Sequence, residues 1–420
     1  MTKQLCALAL VFCFFVPWAE CADLTIVSRL GIPDIAVYEV TGDYDAELTG
    51  GLPNASARQA VAREFYANHP DDYDFLVIFT NFDFRMPQEE AVAFYHEVKN
   101  DVQGIGKELF DNTSLYGSDG RLQGIIDMGN INSLASDPLD PAFSETMGIL
   151  SHELLHRWAA EVTFRSDDNS ISDDLLGREG HHWSFLLDTG GSLEYGNQWV
   201  DNGNGTFTSL AGRRYFSPLD MYLMGMLDKS EVPPMLLIDN PDVDPERLPQ
   251  AGVTIDGTPQ YVSIDQIIAA GGERIPGVAD ARKAFRMGCL YLTRPGTYSE
   301  ADLQAVRTII TSWVMWFSGL TNGRGKVVVD DSLPHDLPAN PGPVAPVIDP
   351  RSTPAEINEG VAWLLQNQQP DGSWQDSSLT AGRDTAAVLE DLADFPEAVE
   401  ASARGMGWLA AGETANLDYL

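Results

Sequence analysis

The chain has 420 residues, 62 acidic against 26 basic side chains, and a formal net charge of −36. That acid excess disfavours nucleic acid and anionic membrane surfaces as natural partners, since both select basic patches. It does not demand a cationic substrate, because acidic exported proteins are often simply soluble.

At the amino end Lys3 precedes an apolar run over residues 5–16, and Ala19-Glu20-Cys21 supplies the small residues that suit cleavage before Ala22. Residues 1–21 therefore read as a signal peptide. The run is short for a membrane span, and Glu20 beside Cys21 disfavours a lipoprotein box. Cys6, Cys13 and Cys21 fall within this segment, leaving Cys289 alone in the mature chain with no internal disulfide to form. A secreted, extracellular protein of bacterial type is expected, with no integral span after cleavage. In that setting the sequons at Asn54, Asn112 and Asn204 are incidental.

Residues 74–80, Asp-Phe-Leu-Val-Ile-Phe-Thr, form an apolar β-rich run of the kind buried on both faces of a sheet. A helix is expected over residues 87–102 and a second strand over residues 122–128. Residues 144–162 then carry helical apolar spacing through Met147, Leu150, Leu154, Leu155 and Trp158, with Ser144 as N-cap and Glu145 at the positive end. This helix holds His152-Glu153-Leu154-Leu155-His156. Positions i and i+4 return to nearly the same face, so two imidazoles can share one metal while Glu153 stands beside the open position.

A catalytic zinc takes three protein ligands and keeps a position for water. Of the seven histidines, His181 and His182 follow within 30 residues of His152. His182 is preferred as third ligand, delivered by a strand or loop over residues 182–188. His181 and Glu179 remain alternatives, the latter in a Gly-Arg-Glu-Gly setting that is not helical. Such a site implies Zn2+ chemistry in which Glu153 takes a proton from water and passes it to a leaving amine. Ser-His-Asp chemistry is a poorer fit, for no Gly-x-Ser-x-Gly elbow is present.

These residues resemble the zincin metallopeptidases, particularly metzincins of the leishmanolysin kind, in which a long insertion separates the helix from the third His. The compact form HExxHxxGxxH is excluded, because Ala159 and Val162 stand at its last two positions. In the family an edge strand upstream of the helix binds extended peptide, a part expected of residues 122–128 or a neighbouring strand. A methionine turn and a nearby Tyr are further family features. Met224 and Tyr222, within Ser217-Pro218-Leu219-Asp220-Met221-Tyr222-Leu223-Met224-Gly225-Met226, are the loose matches, Tyr222 as a catalytic group.

Downstream, residues 199–207 read as two strand ends around a Gly/Asn turn, and Ser299 as the cap of a long helix through Ile309, Trp313 and Trp316, with both tryptophans in the core. Seven prolines between Pro334 and Pro354 mark a stiff linker. Beyond it Gly360-Val361-Ala362-Trp363-Leu364-Leu365 recurs approximately as Gly405-Met406-Gly407-Trp408-Leu409-Ala410, with Gln368 through Trp374 between. This stretch resembles the repeats of α/α-toroid proteins such as terpene cyclases and prenyltransferase-like domains, and it reads as the start of an array that stops midway, either a piece of a longer protein or a truncated gene product.

The expected class is α+β. A zincin-like domain with a mixed sheet and an active-site helix occupies residues 22–330, a Pro-rich linker residues 331–354, and an incomplete all-α repeat segment residues 355–420. The expected function is a secreted zinc metalloendopeptidase acting on protein or peptide substrates, its repeats offering a surface to a partner. Two other readings stand beside it: a noncatalytic exported binding or adhesive protein with a vestigial zinc site, and a terpenoid cyclase or prenyltransferase-like enzyme. The last lacks its Asp-rich DxDD motif.

Overall fold

The computed structural model describes residues 24–329, apart from 31–33, 47, 50–51, 89–90 and 213, together with short pieces between 364 and 405. The expected signal segment and linker lie outside the described residues.

Two buried runs organise the body. The strand Phe75–Thr80 is buried along its whole length, as is Ala284–Thr293. They pair in parallel, and Gly124–Asn130 adds in parallel on the other side of Phe75–Thr80. Alternation then divides their side chains. Phe75, Val77 and Phe79 enter one core with Met147, Leu150 and Leu154 of the helix Phe143–Leu155 and with Val306, Ile309 and Trp313 of the helix Glu300–Leu320. Leu76 and Ile78 face the opposite core with Val61, Ala62 and Phe65 of the helix Ser56–Tyr66. Helices on both faces are what parallel strands with continuous apolar runs require. Antiparallel strands finish the sheet at each side, Thr25–Leu30 on Ala36–Thr41 and Phe94–Glu97 on Gly124–Asn130.

A second, six-stranded sheet runs in the order Thr254–Asp256, Thr206–Leu210, Tyr195–Asp201, Trp183–Asp188, Met235–Asp239, Thr258–Val262. Its pairings are antiparallel except for Trp183–Asp188 beside Tyr195–Asp201. The Gly/Asn turn of residues 199–207 closes the hairpin between Tyr195–Asp201 and Thr206–Leu210, with Asp201 opposite Phe207. The architecture is thus α+β, with sheets of mixed strand orientation.

Three expectations need correction. The helix anticipated over residues 87–102 is absent: Phe94–Glu97 is an edge strand, and Lys99–Asn100 pairs with Phe110–Asp111. Val92, Phe94, Tyr95 and Val98 are β-favouring residues, and pairing with Gly124–Asn130 outweighs a weak helical period. The active-site helix spans Phe143–Leu155, begins at Ala142 without a side-chain cap, and stops short of residue 162. Arg157 draws the chain out of the helix, its guanidinium bonded to Asn100, Asp101 and Gln123 at 2.8–3.2 Å. The helix Glu300–Leu320 does start at Ser299, whose hydroxyl accepts from the Asp302 amide at 3.2 Å. Trp313 is buried and donates to Ser151, whereas Trp316 is exposed.

Among the described residues no helix is long and apolar enough to cross a membrane. In the carboxyl-terminal pieces, Trp374, Leu392 and Ala401 are buried against one another, and the Trp374 indole donates to Leu364 O at 2.7 Å.

Candidate metal centre

One turn of the helix Phe143–Leu155 and the residue before the strand Trp183–Asp188 meet at the wall of a cleft of about 1350 Å³. There His152, His156 and His182 each offer a ligand nitrogen within 4.8 Å of the other two, a cluster that can hold a metal ion. Their ring centroids lie 4.6–5.2 Å apart. The structure brings His182 to the helical pair and leaves the alternatives outside. His181 is largely exposed and turns its Nδ1 to Glu161 at 3.1 Å, while Glu179 is exposed in the left-handed region at φ 59°.

The donor set fits a cation on two counts. The Nδ1 atoms of His152 and His182 are taken by carbonyl oxygens, of Leu193 at 2.7 Å and Arg178 at 3.1 Å, which leaves Nε2 as their free donor. Burial also favours the neutral rings, the form that binds metal: His156 is pushed down to about 3 by burial and then by Lys107, and His182 to about 2 chiefly by burial. His152 is lowered by burial as well.

Two buried carboxylates flank the cluster. Glu153 lines the cleft and accepts a hydrogen bond from the Tyr95 backbone amide. Burial, then the charge of Glu194, raises it to about 8. Glu194 is fully buried. Its Oε1 lies 2.7 Å from His156 Nδ1 and its Oε2 lies 3.6 Å from His152 Nδ1. Neither oxygen is met along a donor N–H or O–H direction by any described residue, so these are close contacts rather than aligned hydrogen bonds. Burial holds the Glu194 carboxyl well above the ordinary carboxylate range.

The residues 192–195 assemble much of this. Leu193 supplies the carbonyl for His152, Glu194 the carboxylate beside His156, and Tyr195 a ring stacked on His182 at 4.6 Å and tilted over His152 at 5.1 Å. Tyr195 sits at φ 78°, a backbone conformation that aromatic residues rarely adopt and that costs on the order of 1–3 kcal/mol, a kind of strain concentrated at functional sites. Gly196 follows at φ 77°, where an added Cβ would stand 2.9 Å from Leu187 O. Asp220 anchors the turn from below, accepting from Ser192 Oγ at 2.6 Å, Trp183 Nε1 at 2.8 Å and Ser217 N at 2.6 Å.

The methionine-rich segment therefore supports the site through Asp220. Tyr222 is not brought to the cleft: it is buried in the helix Pro218–Leu223, and its hydroxyl accepts from the Arg274 amide at 3.2 Å. Met224 is fully buried and does not line the cleft. Tyr195, Glu194 and Asp220 were missed by sequence reasoning. One signal pointed to the first two, a Glu-Tyr pair bracketed by Gly190, Gly191 and Gly196 shortly after His182.

No protein-family model, curated protein or solved structure matches the chain.

Proposed function

We propose that the chain is an exported zinc-dependent endopeptidase. One observation carries this reading: three imidazoles converge beside Glu153 on a cleft walled by an edge strand. A structural ion requires no carboxylate base next to it, and Glu153 lies on the cleft side of the helix.

His152, His156 and His182 would hold the ion. When bound, zinc supplies Lewis acidity, acidifying water and polarising a carbonyl oxygen. Glu153 accepts the proton of the attacking water on its carboxylate and returns it to the departing amine. Among the described residues the strand Phe94–Glu97 pairs on one side only, and a backbone hydrogen bond links Tyr95 to Glu153. An extended peptide laid along that edge would run past the base, as β-augmentation requires. Tyr195 takes the part that the sequence suggested for Tyr222, a phenolic donor for charge developing on the carbonyl oxygen. The N-terminal segment motivates export, and the Trp374 cluster belongs to a toroid-like repeat segment that offers a surface to a partner.

The test is zinc content of the purified chain together with cleavage of an unstructured protein by wild type and Glu153→Gln. Stoichiometric zinc in both, with cleavage reduced roughly 10²–10⁴-fold in the variant, is the expected result. Wild type that holds zinc yet cleaves no peptide sinks the proposal, as does a variant that cleaves normally.

A further inference from the structure

The least explained group in the molecule is Glu194. It is fully buried, and its oxygens lie 2.7 Å and 3.6 Å from the Nδ1 atoms of His156 and His152. No donor among the described residues meets either oxygen in line. Removing a carboxylate from water without aligned donors is costly, and folds retain such groups where something else compensates. Asp220 deepens the problem. This second buried acid is already satisfied by Ser192, Trp183 and Ser217, and it contributes only negative charge toward Glu194.

Glu194 is also held in place by its own backbone. Its amide donates to Ser192 Oγ at 2.9 Å, and its carbonyl accepts from the Trp183 amide, next to His182, at 2.9 Å. The same short turn thus fixes the carboxylate behind two ligands and the main chain beside the third. Positive charge placed among the three rings would face an acid that the fold has positioned and left without an aligned donor.

We propose that Glu194 is the counter-charge of the metal centre, a positioning residue that acts through His156 to hold its ring and that neutralises a divalent cation. This rests on the zinc reading above but concerns affinity, not peptide chemistry. Carboxylates behind metal-bound histidines raise ligand basicity and fix ring orientation, and losing one typically weakens binding about ten- to a hundredfold.

The opposite signs of two effects make the role testable. Competition of full-length protein with a chromophoric chelator for Zn2+ should give a Kd about ten- to a hundredfold weaker in Glu194→Gln than in wild type. Without metal the same variant should melt at or above the wild-type temperature, because a buried acid without an aligned donor has gone. The upward shift on adding Zn2+ should accordingly be larger in wild type. Glu194→Asp, which withdraws the charge by one methylene, should also bind more weakly.

Wild-type affinity in either folded variant overturns the proposal. So does a metal-free Glu194→Gln protein that is less stable than wild type with unchanged affinity, or failure of both variants to fold, since the residue would then serve the fold itself. Wild type that does not bind Zn2+ defeats the zinc reading instead, and that outcome is distinguishable from all of these.

Discussion

Asp127 and Glu194 are both fully buried carboxylates, and the protein treats them in opposite ways. Asp127 Oδ2 accepts from Arg58 Nε at 3.0 Å, Arg58 Nη2 at 2.8 Å and the Tyr44 hydroxyl at 2.9 Å, while Oδ1 accepts from the Gly129 amide at 3.1 Å. The Arg58 guanidinium lies over the rings of Tyr44, Phe84 and Phe94. Glu194 has two imidazole nitrogens nearby and no aligned donor. A carboxylate whose lone pairs are used within the chain locks a fold together. One positioned with them unused is set toward a charge from elsewhere.

The contrast breaks most directly at Asp127→Ala, which strands the Arg58 charge. It should cost about 3–5 kcal/mol in chemical denaturation and leave zinc affinity unchanged in the folded fraction. A parallel loss of affinity would erase the distinction between the two acids.

Next in size is an acid-side effect at His96, which burial, then Arg58, pushes down to about 4 from an ordinary 6.5. The unfolded chain binds the proton in that interval and the folded one does not. Stability is therefore intact above pH 6.5 and declines as the pH falls toward 4, by on the order of 3 kcal/mol. Paired melts of His96→Gln and wild type should differ by a constant above pH 6.5, with wild type falling faster below it; parallel curves would remove His96 from the account.

Tyr195→Phe keeps the ring stacked on His182 and removes the donor. A fall in kcat of about a hundredfold is expected with zinc affinity retained. Unchanged kcat would reduce Tyr195 to packing, and weakened zinc would move its role to the ligand shell. Smallest is Ser299→Ala, far from the site in sequence, which should cost about 1 kcal/mol through the lost helix cap without altering zinc binding.

Much of the centre was legible because helix periodicity is local. His152 and His156 share a face by spacing alone, with Glu153 one residue further round the turn, and Phe75–Thr80 and Gly124–Asn130 announced themselves as apolar runs. Selecting His182 over His181 went further, since only pairing of Trp183–Asp188 in the second sheet decides which ring turns inward. The edge strand Phe94–Glu97 was hidden because a short strand is defined by its partner. Glu194 was hidden for a deeper reason: an acid in an acidic chain carries no mark of burial until Ser192 and Asp220 fix the turn beneath it. Tyr222 shows the reverse error, a suggestive residue in a suggestive segment whose hydroxyl is already engaged by Arg274.

The candidate ligands come from both sides of a seam, two from the end of the helix packed on the central sheet and one, with Leu193, Glu194 and Tyr195, from the segments that lead into two strands of the six-stranded sheet. An ion gripped across that seam works as a rivet. It would stabilise the closed arrangement in proportion to the logarithm of its concentration over Kd, so stripping it would loosen the join. On the proposed reading, a nascent chain with the two sheets not yet docked has no assembled centre, and hydrolytic competence would arrive only with completed folding.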